Sequence, residues 1–467
     1  MSRLVIFSNR VPASGPPSGG LVVALNATME SLGGLWIGTS VDADMNRREQ
    51  ELLHHDGSAF QRLTMCLTAS EHEDYYLGYA NSVLWPMLHG RMDLMDLSEG
   101  HRAAYEGVNM RLARLARSHI RTGDTLWVHD YHLIPLAFAL RRLGVTNPIG
   151  FFLHTPFPDT GSVQALSNSE AFLRWFAAYD LVGLQTQQDV SRFLAAYRSA
   201  GAAQLISGNR IRWGDDIIRV GSFPIGIDAV GFREMAQEAA RAHTPALSSH
   251  RLMIGVDRLD YTKGIPNRLR GLQLYLRNNP AEEDRISFVQ IAPPTREDVG
   301  AYMDVRRELE QLSGEVNGEF SDIGYVPVQY IHRAIARSTI SGLLRRADIA
   351  LVTPLNDGMN LVAKEFVAAQ DPEKPGVLVL SKFAGAAEQL GDGAVLINPH
   401  DAGSIAAGIS RAARMTEDER RRRHAAMWHT INRTDADWWA SSFLRALSEA
   451  AGERLDYLSM FAYPEAS

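Results

Sequence analysis

The chain has 467 residues, 45% of them hydrophobic and 22% charged, with a formal net charge of −7. This is the make-up of a globular protein of two or three domains, and its acidic balance excludes a broad nucleic-acid or anionic-membrane surface while permitting local basic pockets. One cysteine, Cys66, excludes an internal disulfide framework and points to a reducing compartment.

The opening "MSRLVIFSNR" enters a strand at once and lacks signal-peptide architecture, and no apolar run approaches the ~20 residues a membrane helix needs. A cytoplasmic protein is expected, with neither nucleic acid nor membrane as partner. Short β-type runs then recur: "RLVIFSN", "GLWIGTS", "DTLWVHD", "IGFFLHT", "DLVGLQT" and "IIRVGSFP". A polar, small-residue stretch, "PIGIDAVGFREMAQEAARAHTPALSSHR", separates these from a second set, "RLMIGVD", "ISFVQIA", "ADIALVTP", "GVLVLS" and "AVLINP". Amphipathic segments such as "LIPLAFALRRLG", "REDVGAYMDVRRELEQL" and "SIAAGISRAARM" lie between the runs. Strand–helix alternation of this kind predicts parallel sheets covered on both faces. Two successive sets predict an α/β chain of two doubly wound, Rossmann-like domains, whose ligands gather at the carboxyl ends of the strands.

The polar clusters fall at those strand ends. "SNR", Ser8 to Arg10, runs into the Gly-rich "SGGL", Ser18 to Leu21. A turn of that kind lets backbone approach a phosphate or sugar closely, but it is not G-x-G-x-x-G, which argues against a dinucleotide dehydrogenase. Tyr76 and Trp85 in "YYLGYANSVLWP" read either as core aromatics or as a wall against a sugar face. Asp130, in "HDYH", and His154, in "FFLHTPFP", read as hydroxyl binders or as structural hydrogen-bonding groups. His129 and His132 invite a metal reading, but a strand end converges them poorly and no further ligand pattern accompanies them. The triplets Asp42-Ala43-Asp44 and Asp435-Ala436-Asp437 have the spacing that holds a divalent cation on a diphosphate in some sugar-nucleotide enzymes. "GVDRLDYTKG" sets Arg258 and Lys263 across a turn, with Asp257 and Asp260 nearby. The pair is either a salt-bridge set or a clamp for a diphosphate, Arg binding as a planar fork and Lys as a point charge; a clamp makes a metal redundant. Arg296 in "IAPPTRED" follows another strand end.

"TPLNDGMNLVAKEF", Thr353 to Phe366, leaves an apolar strand and opens a helix near Met359. In the plainer reading Asn356 or Asp357 caps that helix. In the other, the first amides of the helix face an anion, helped by a macrodipole of about half a charge. Asp357 is repelled by a phosphate and suits uncharged hydroxyls beside it, and Glu365 suits a ribose. Phosphates flanked by polyols describe a sugar nucleotide. "ERRRRH", Glu419 to His424, reads as a solvated helix face.

Taken together, "SNR", "GGL", "YY…NSVLWP", "VHDYHLIP", "FFLHTPFP", "RLDYTKGIPNR", "TPLNDGMNLVAKE" and "VLVLSKFAGAAEQL" resemble, in order and spacing, the trehalose-6-phosphate synthases, from about residue 1 to residue 445. The resemblance implies a GT-B glycosyltransferase whose two domains face across a cleft: 1–228 on the acceptor side, 229–440 binding the nucleotide sugar, and 441–467 a helix crossing back to the first. It implies glucose transfer from a nucleotide donor, usually UDP-glucose, to glucose 6-phosphate with retention of the α configuration, and no metal or other cofactor. Carried over by motif, Arg258 and Lys263 would clamp the diphosphate, and Asp357 would bind donor glucose hydroxyls. Leu361, Val362 and Ala363 would offer amides to the diphosphate, with Lys364 among the donor contacts. Glu365 would hold the ribose, Gly19 and Gly20 would lie over the donor, and Ile335 near the uracil. Arg10, Tyr76, Trp85 and Arg296 would form the pocket for the acceptor's phosphate and ring. Asp130 would hold acceptor hydroxyls, with His154 beside the reacting sugar. A homodimer or homotetramer is implied as well.

The chain departs from the family pattern at Thr39, where an aromatic is usual, and at Gly161 and Val163, where Glu and Phe are usual. These changes fall on the acceptor half, so a same-fold enzyme using another phosphorylated acceptor, such as glycerol 3-phosphate, is the close rival. The others are a non-catalytic sugar-nucleotide-binding scaffold and a metal hydrolase built on "HDYH".

Overall fold

The computed structural model describes residues 2–11, 20–41, 52–55, 59–206, 208–242, 251–280, 286–296 and 299–462. Its contacts divide the chain into two compact units, Met1–Pro224 with Ala436–Ser467, and Ile225–Asp435. Gly19 and the Asp42 to Asp44 triplet lie outside the described residues.

In the first unit the strands are β1 (Leu4–Arg10), β2 (Leu35–Ser40), β3 (Leu53–His55), β4 (Gln61–Cys66), β5 (Thr125–His129), β6 (Ile149–Phe152), β7 (Leu181–Leu184), β8 (Ala203–Ile206), β9 (Arg210–Trp213) and β10 (Asp216–Ser222). They form one sheet in the order β3-β4-β2-β1-β5-β6-β7-β10-β9-β8. Its centre is parallel, and only the β3–β4, β8–β9 and β9–β10 pairs run antiparallel. Strands β6 and β7 are buried along their whole length, which is why they read as unbroken apolar runs instead of alternating ones.

The last helix, Ala436–Ala462, belongs to this unit. Its buried Phe443 stacks on Trp127 at 4.6 Å and 11°. A Cβ at either Gly150 or Gly183 would stand 2.7 Å from the Phe443 ring, so the absence of side chains there lets the helix sit directly on the sheet.

The second unit holds β11 (Arg251–Val256), β12 (Ile286–Ile291), β13 (Val328–Ile331), β14 (Ile349–Val352), β15 (Val377–Ser381) and β16 (Val395–Ile397). They order as β13-β12-β11-β14-β15-β16, every pair parallel. Order reverses between β11 and β14, the kind of switch point at which doubly wound sheets bind ligands. A buried tie fixes the strand ends there. The Arg268 guanidinium, fully enclosed, donates to Asp257 Oδ2 at 2.7 Å, Gln290 Oε1 at 2.8 Å and Thr353 Oγ1 at 2.9 Å. These acceptors follow or end β11, β12 and β14, so one cation orders three strand termini. Among the described residues no helix is long and apolar enough to cross a membrane, and Cys66 is a buried free thiol.

Candidate active site

In the first unit the residues singled out gather at the carboxyl ends of β1, β5 and β6. Arg10 ends β1, donates to the Tyr76 hydroxyl at 3.3 Å, and its Cζ lies 5.4 Å from that ring's centre. Tyr76 belongs to a 13-residue π-helix, His72–Leu84, and stacks on His132 at 5.6 Å and 10°. Wide helical turns of this kind recur at functional sites. Trp85 starts the following helix, is buried, and packs on His89 at 4.2 Å and Tyr131 at 5.5 Å. Thr39 is buried with its hydroxyl bonded to Asn9, whose side chain also accepts from Tyr75 at 2.9 Å. Val163 is buried and Gly161 lies in the short helix Thr160–Gln164.

Asp130 turns off β5 with φ +71°, a conformation disfavoured for residues other than glycine. Its Oδ1 accepts from the His154 amide at 3.3 Å, and its own amide donates to Phe152 O at 2.8 Å, which pins the two strand ends together. His129 and His132 have different neighbours and do not converge. His129 Nδ1 meets His154 Nε2 at 3.2 Å, whereas His132 stacks on Tyr76. No group of three or more His, Cys, Asp or Glu able to hold a metal occurs among the described residues. Burial holds both members of the pair below the ordinary histidine range, His129 helped by His154, and His154 falls to about 3.

That pair has a measurable consequence. Because the folded values lie below the unfolded one, the unfolded chain binds more protons beneath pH ~6.5, so stability falls on acidification by about 1.4 kcal/mol per pH unit per group. Urea midpoints at pH 7.0 and 5.5 should therefore separate more in the native chain than in His154→Gln. Equal separations would remove the pair from the acid response.

In the second unit the turn after β11 carries Arg258, which is exposed, and a single 3-10 turn, Tyr261–Lys263. Lys263 Nζ donates to Asp357 Oδ2 at 2.6 Å, both side chains being nearly enclosed. The cation read as a diphosphate clamp and the carboxylate read as a hydroxyl binder thus contact each other directly. The loop carrying Asp357 lies along Phe383–Ala386. Asp357 N donates to Phe383 O at 3.1 Å, Gly385 N to Asp357 O at 3.0 Å, and Ala386 N to Met359 O at 2.8 Å.

The helix that follows is Leu361–Ala369, and its cap is Asn360 at φ +73°, not Asn356 or Asp357. Asn360 Oδ1 accepts from the Ala363 amide at 3.3 Å, while its Nδ2 donates to Asp357 Oδ2 at 3.1 Å. The Ala363 amide is therefore engaged by the cap, and Leu361 and Val362 carry the first amides that a helix leaves without an internal acceptor. Lys364 stands among the residues read as donor contacts, and its side chain turns into the unit's interior. That side chain is fully buried, donates to Ile225 O at 2.6 Å, and is brought down to about 7 by burial. Glu365 accepts from Arg337 at 3.1 Å, and burial raises its carboxyl. Ile335 is half-buried in the loop after β13, and Gly20 opens the helix Gly20–Leu32 of the first unit.

Arg296 follows β12 with φ +50° and donates to the Tyr302 hydroxyl at 2.6 Å. Asp260, which the sequence shows only as a neighbour of the clamp, is fully buried and caps the Tyr261–Lys263 turn. Burial pushes its carboxyl up, but Arg296, Lys263 and Arg258 together hold it below the ordinary range. Tyr302 stood in the sequence only as a position of an amphipathic segment, and Arg268 only as the last residue of "RLDYTKGIPNR", with no role given to either. Both are ordinary helix residues whose role depends on which strand ends they reach.

Comparison with known proteins gives one picture. The model of glycosyltransferase family 20 matches residues 8–449. A trehalose-6-phosphate synthase of Sinorhizobium fredii is 39% identical over 462 residues, covering 97% of this chain and 99% of the relative. Among solved structures, a UDP-forming α,α-trehalose-phosphate synthase from Burkholderia xenovorans in complex with glucose 6-phosphate superposes with TM-score 0.91 at 39% identity, covering 96% of this chain and 100% of the other. A structure described as trehalose-6-phosphate from E. coli bound with UDP-2-fluoro glucose has TM-score 0.89 at 37% identity, covering 96% and 99%.

Proposed function

The chain belongs to glycosyltransferase family 20, and we propose that it transfers glucose from UDP-glucose to glucose 6-phosphate with retention, giving α,α-trehalose 6-phosphate. The reading is carried by one observation: at the switch point of the second sheet, Lys263 meets Asp357 beside the amino end of Leu361–Ala369, with Arg258 on the same turn. Positive charge suited to a diphosphate and a carboxylate suited to sugar hydroxyls are thereby adjacent.

Arg258, Lys263 and the amides of Leu361 and Val362 bind the diphosphate. The donor exchanges Lys263 from Asp357 to phosphate, leaving the carboxylate to accept from glucose hydroxyls. Glu365 and Ile335 serve the ribose and base, with Gly20 a further donor contact. Arg10, Tyr76, Trp85 and Arg296 hold the acceptor's phosphate and ring, Asp130 its hydroxyls, and His154 stands by the reacting sugar. The family resemblance implies a reaction on one face, in which the departing diphosphate takes the acceptor hydroxyl's proton as the new bond forms. Catalysis is then positioning plus stabilisation of the leaving group by fixed cations.

The test is release of nucleoside diphosphate by purified protein across UDP-, ADP- and GDP-glucose against glucose 6-phosphate and glycerol 3-phosphate, with and without EDTA. Turnover is expected to be greatest with UDP-glucose and glucose 6-phosphate and to be unaffected by the chelator. Turnover only with glycerol 3-phosphate would reassign the acceptor. No turnover with any pair would leave a binding scaffold, and loss of activity in EDTA would require a metal.

A further inference from the structure

Arg296 combines a long, flexible side chain with a left-handed backbone, and something must aim it. Its Nη1 donates to the Tyr302 hydroxyl at 2.6 Å, with its Cζ 5.7 Å from that ring's centre. Tyr302, on the helix Gly300–Phe320, is buried and packs edge-on against Tyr261 at 5.1 Å. The same hydroxyl donates to Asp260 Oδ2 at 3.4 Å. The other carboxylate oxygen accepts from the Thr262 amide and hydroxyl, both at 2.9 Å, and Asp260 O accepts from the Lys263 amide at 3.0 Å.

We propose that Tyr302 is a positioning residue for acceptor binding: its phenol oxygen aims Arg296, and it is itself anchored on the buried carboxylate of Asp260. A phenol suits this place because it can accept from a guanidinium while donating to a carboxylate. Burial, reinforced by the Asp260 charge, pushes the phenol's titration up, so it keeps the proton it donates. The guanidinium is held before the acceptor arrives, which removes the cost of ordering a rotamer-rich side chain on binding. Asp260 also starts the turn that carries Lys263, so one carboxylate sets the seat of both cations. The inference rests on the assignment of Arg296 to the acceptor's phosphate.

Tyr302→Phe keeps the ring and removes the hydroxyl. The expected result is a roughly tenfold rise in KM for glucose 6-phosphate, with kcat and KM for UDP-glucose within about twofold of the parent. A merely structural role would move both Michaelis constants and the melting temperature together. Tyr302→Met, which lacks the ring as well, should lower the melting temperature through the lost packing yet still raise only the acceptor's KM, so the conclusion does not hang on one variant's folding. Arg296→Ala separates the two layers. If it leaves the acceptor KM unchanged, the assignment of Arg296 fails. If it raises that constant while Tyr302→Phe does not, the positioning role is overturned.

Discussion

Lys263→Ala is expected to lower kcat by roughly two to three orders of magnitude, a loss of the size found when one group stabilising a transition-state charge is removed, while KM for glucose 6-phosphate changes little. The reason lies in timing. Full negative charge reaches the diphosphate only as the glucosyl bond breaks, so a cation placed there stabilises the transition state more than the bound substrate. Arg258→Ala should behave alike, and Lys263→Arg should not restore the parent rate, because a planar fork does not replace a point charge. Lys263 also neutralises Asp357 at 2.6 Å, and its removal leaves a nearly enclosed carboxylate without that counter-charge. The double-mutant cycle of Lys263→Ala with Asp357→Asn separates the two effects. Nucleoside diphosphate release at saturating substrates gives the answer. An unchanged kcat in both single variants would remove the clamp from the mechanism.

Phe443→Ala is expected to destabilise the first unit by about 3–5 kcal/mol, the usual cost of deleting a buried aromatic ring. The ring is fully buried, stacked on Trp127 at 4.6 Å and edge-on to Phe152 and Phe223 at 5.8 and 5.3 Å. Gly150 and Gly183 supply the space it fills, so nothing nearby can collapse into the cavity without moving strands. The same helix brings Trp439 edge-on to His154 at 6.0 Å, which ties the last part of the chain to a proposed site residue. Calorimetry should show one transition moving down while the part of the melt due to the second unit stays in place. An unaltered melting profile would mean that the helix is not part of the first unit's core.

Much of this architecture was legible because its physics is local. Strands such as Ile149–Phe152, Leu181–Leu184 and Ile349–Val352 are buried on both faces and announce themselves as apolar runs. Strands with exposed or polar positions gave no such signal: Gln61–Cys66 begins with two polar residues, Ala203–Ile206 alternates, and Val328–Ile331 is an edge strand with one buried residue. The motif residues at strand ends were readable as a set, since the chain returns to the same edge after each parallel strand. Their pairings were not. That Lys263 lies on Asp357, that Glu365 lies on Arg337 and that Asn360 takes the cap are facts of three-dimensional reach. Lys364 shows the limit most plainly. It sits in a functional motif between two residues with assigned roles, yet helical geometry turns its side chain inward to the Ile225 carbonyl.

The central claim is that Arg258, Lys263 and the first amides of Leu361–Ala369 receive the charge shed when the glucosyl bond breaks. A crystal structure with UDP bound tests it most directly. The predicted result is a pyrophosphate within about 3 Å of Lys263 Nζ, with Arg258 on the same group, the Leu361 and Val362 amides directed at it, and the Lys263–Asp357 contact, 2.6 Å here, opened. A pyrophosphate lodged away from both basic side chains, with that contact intact, would contradict it.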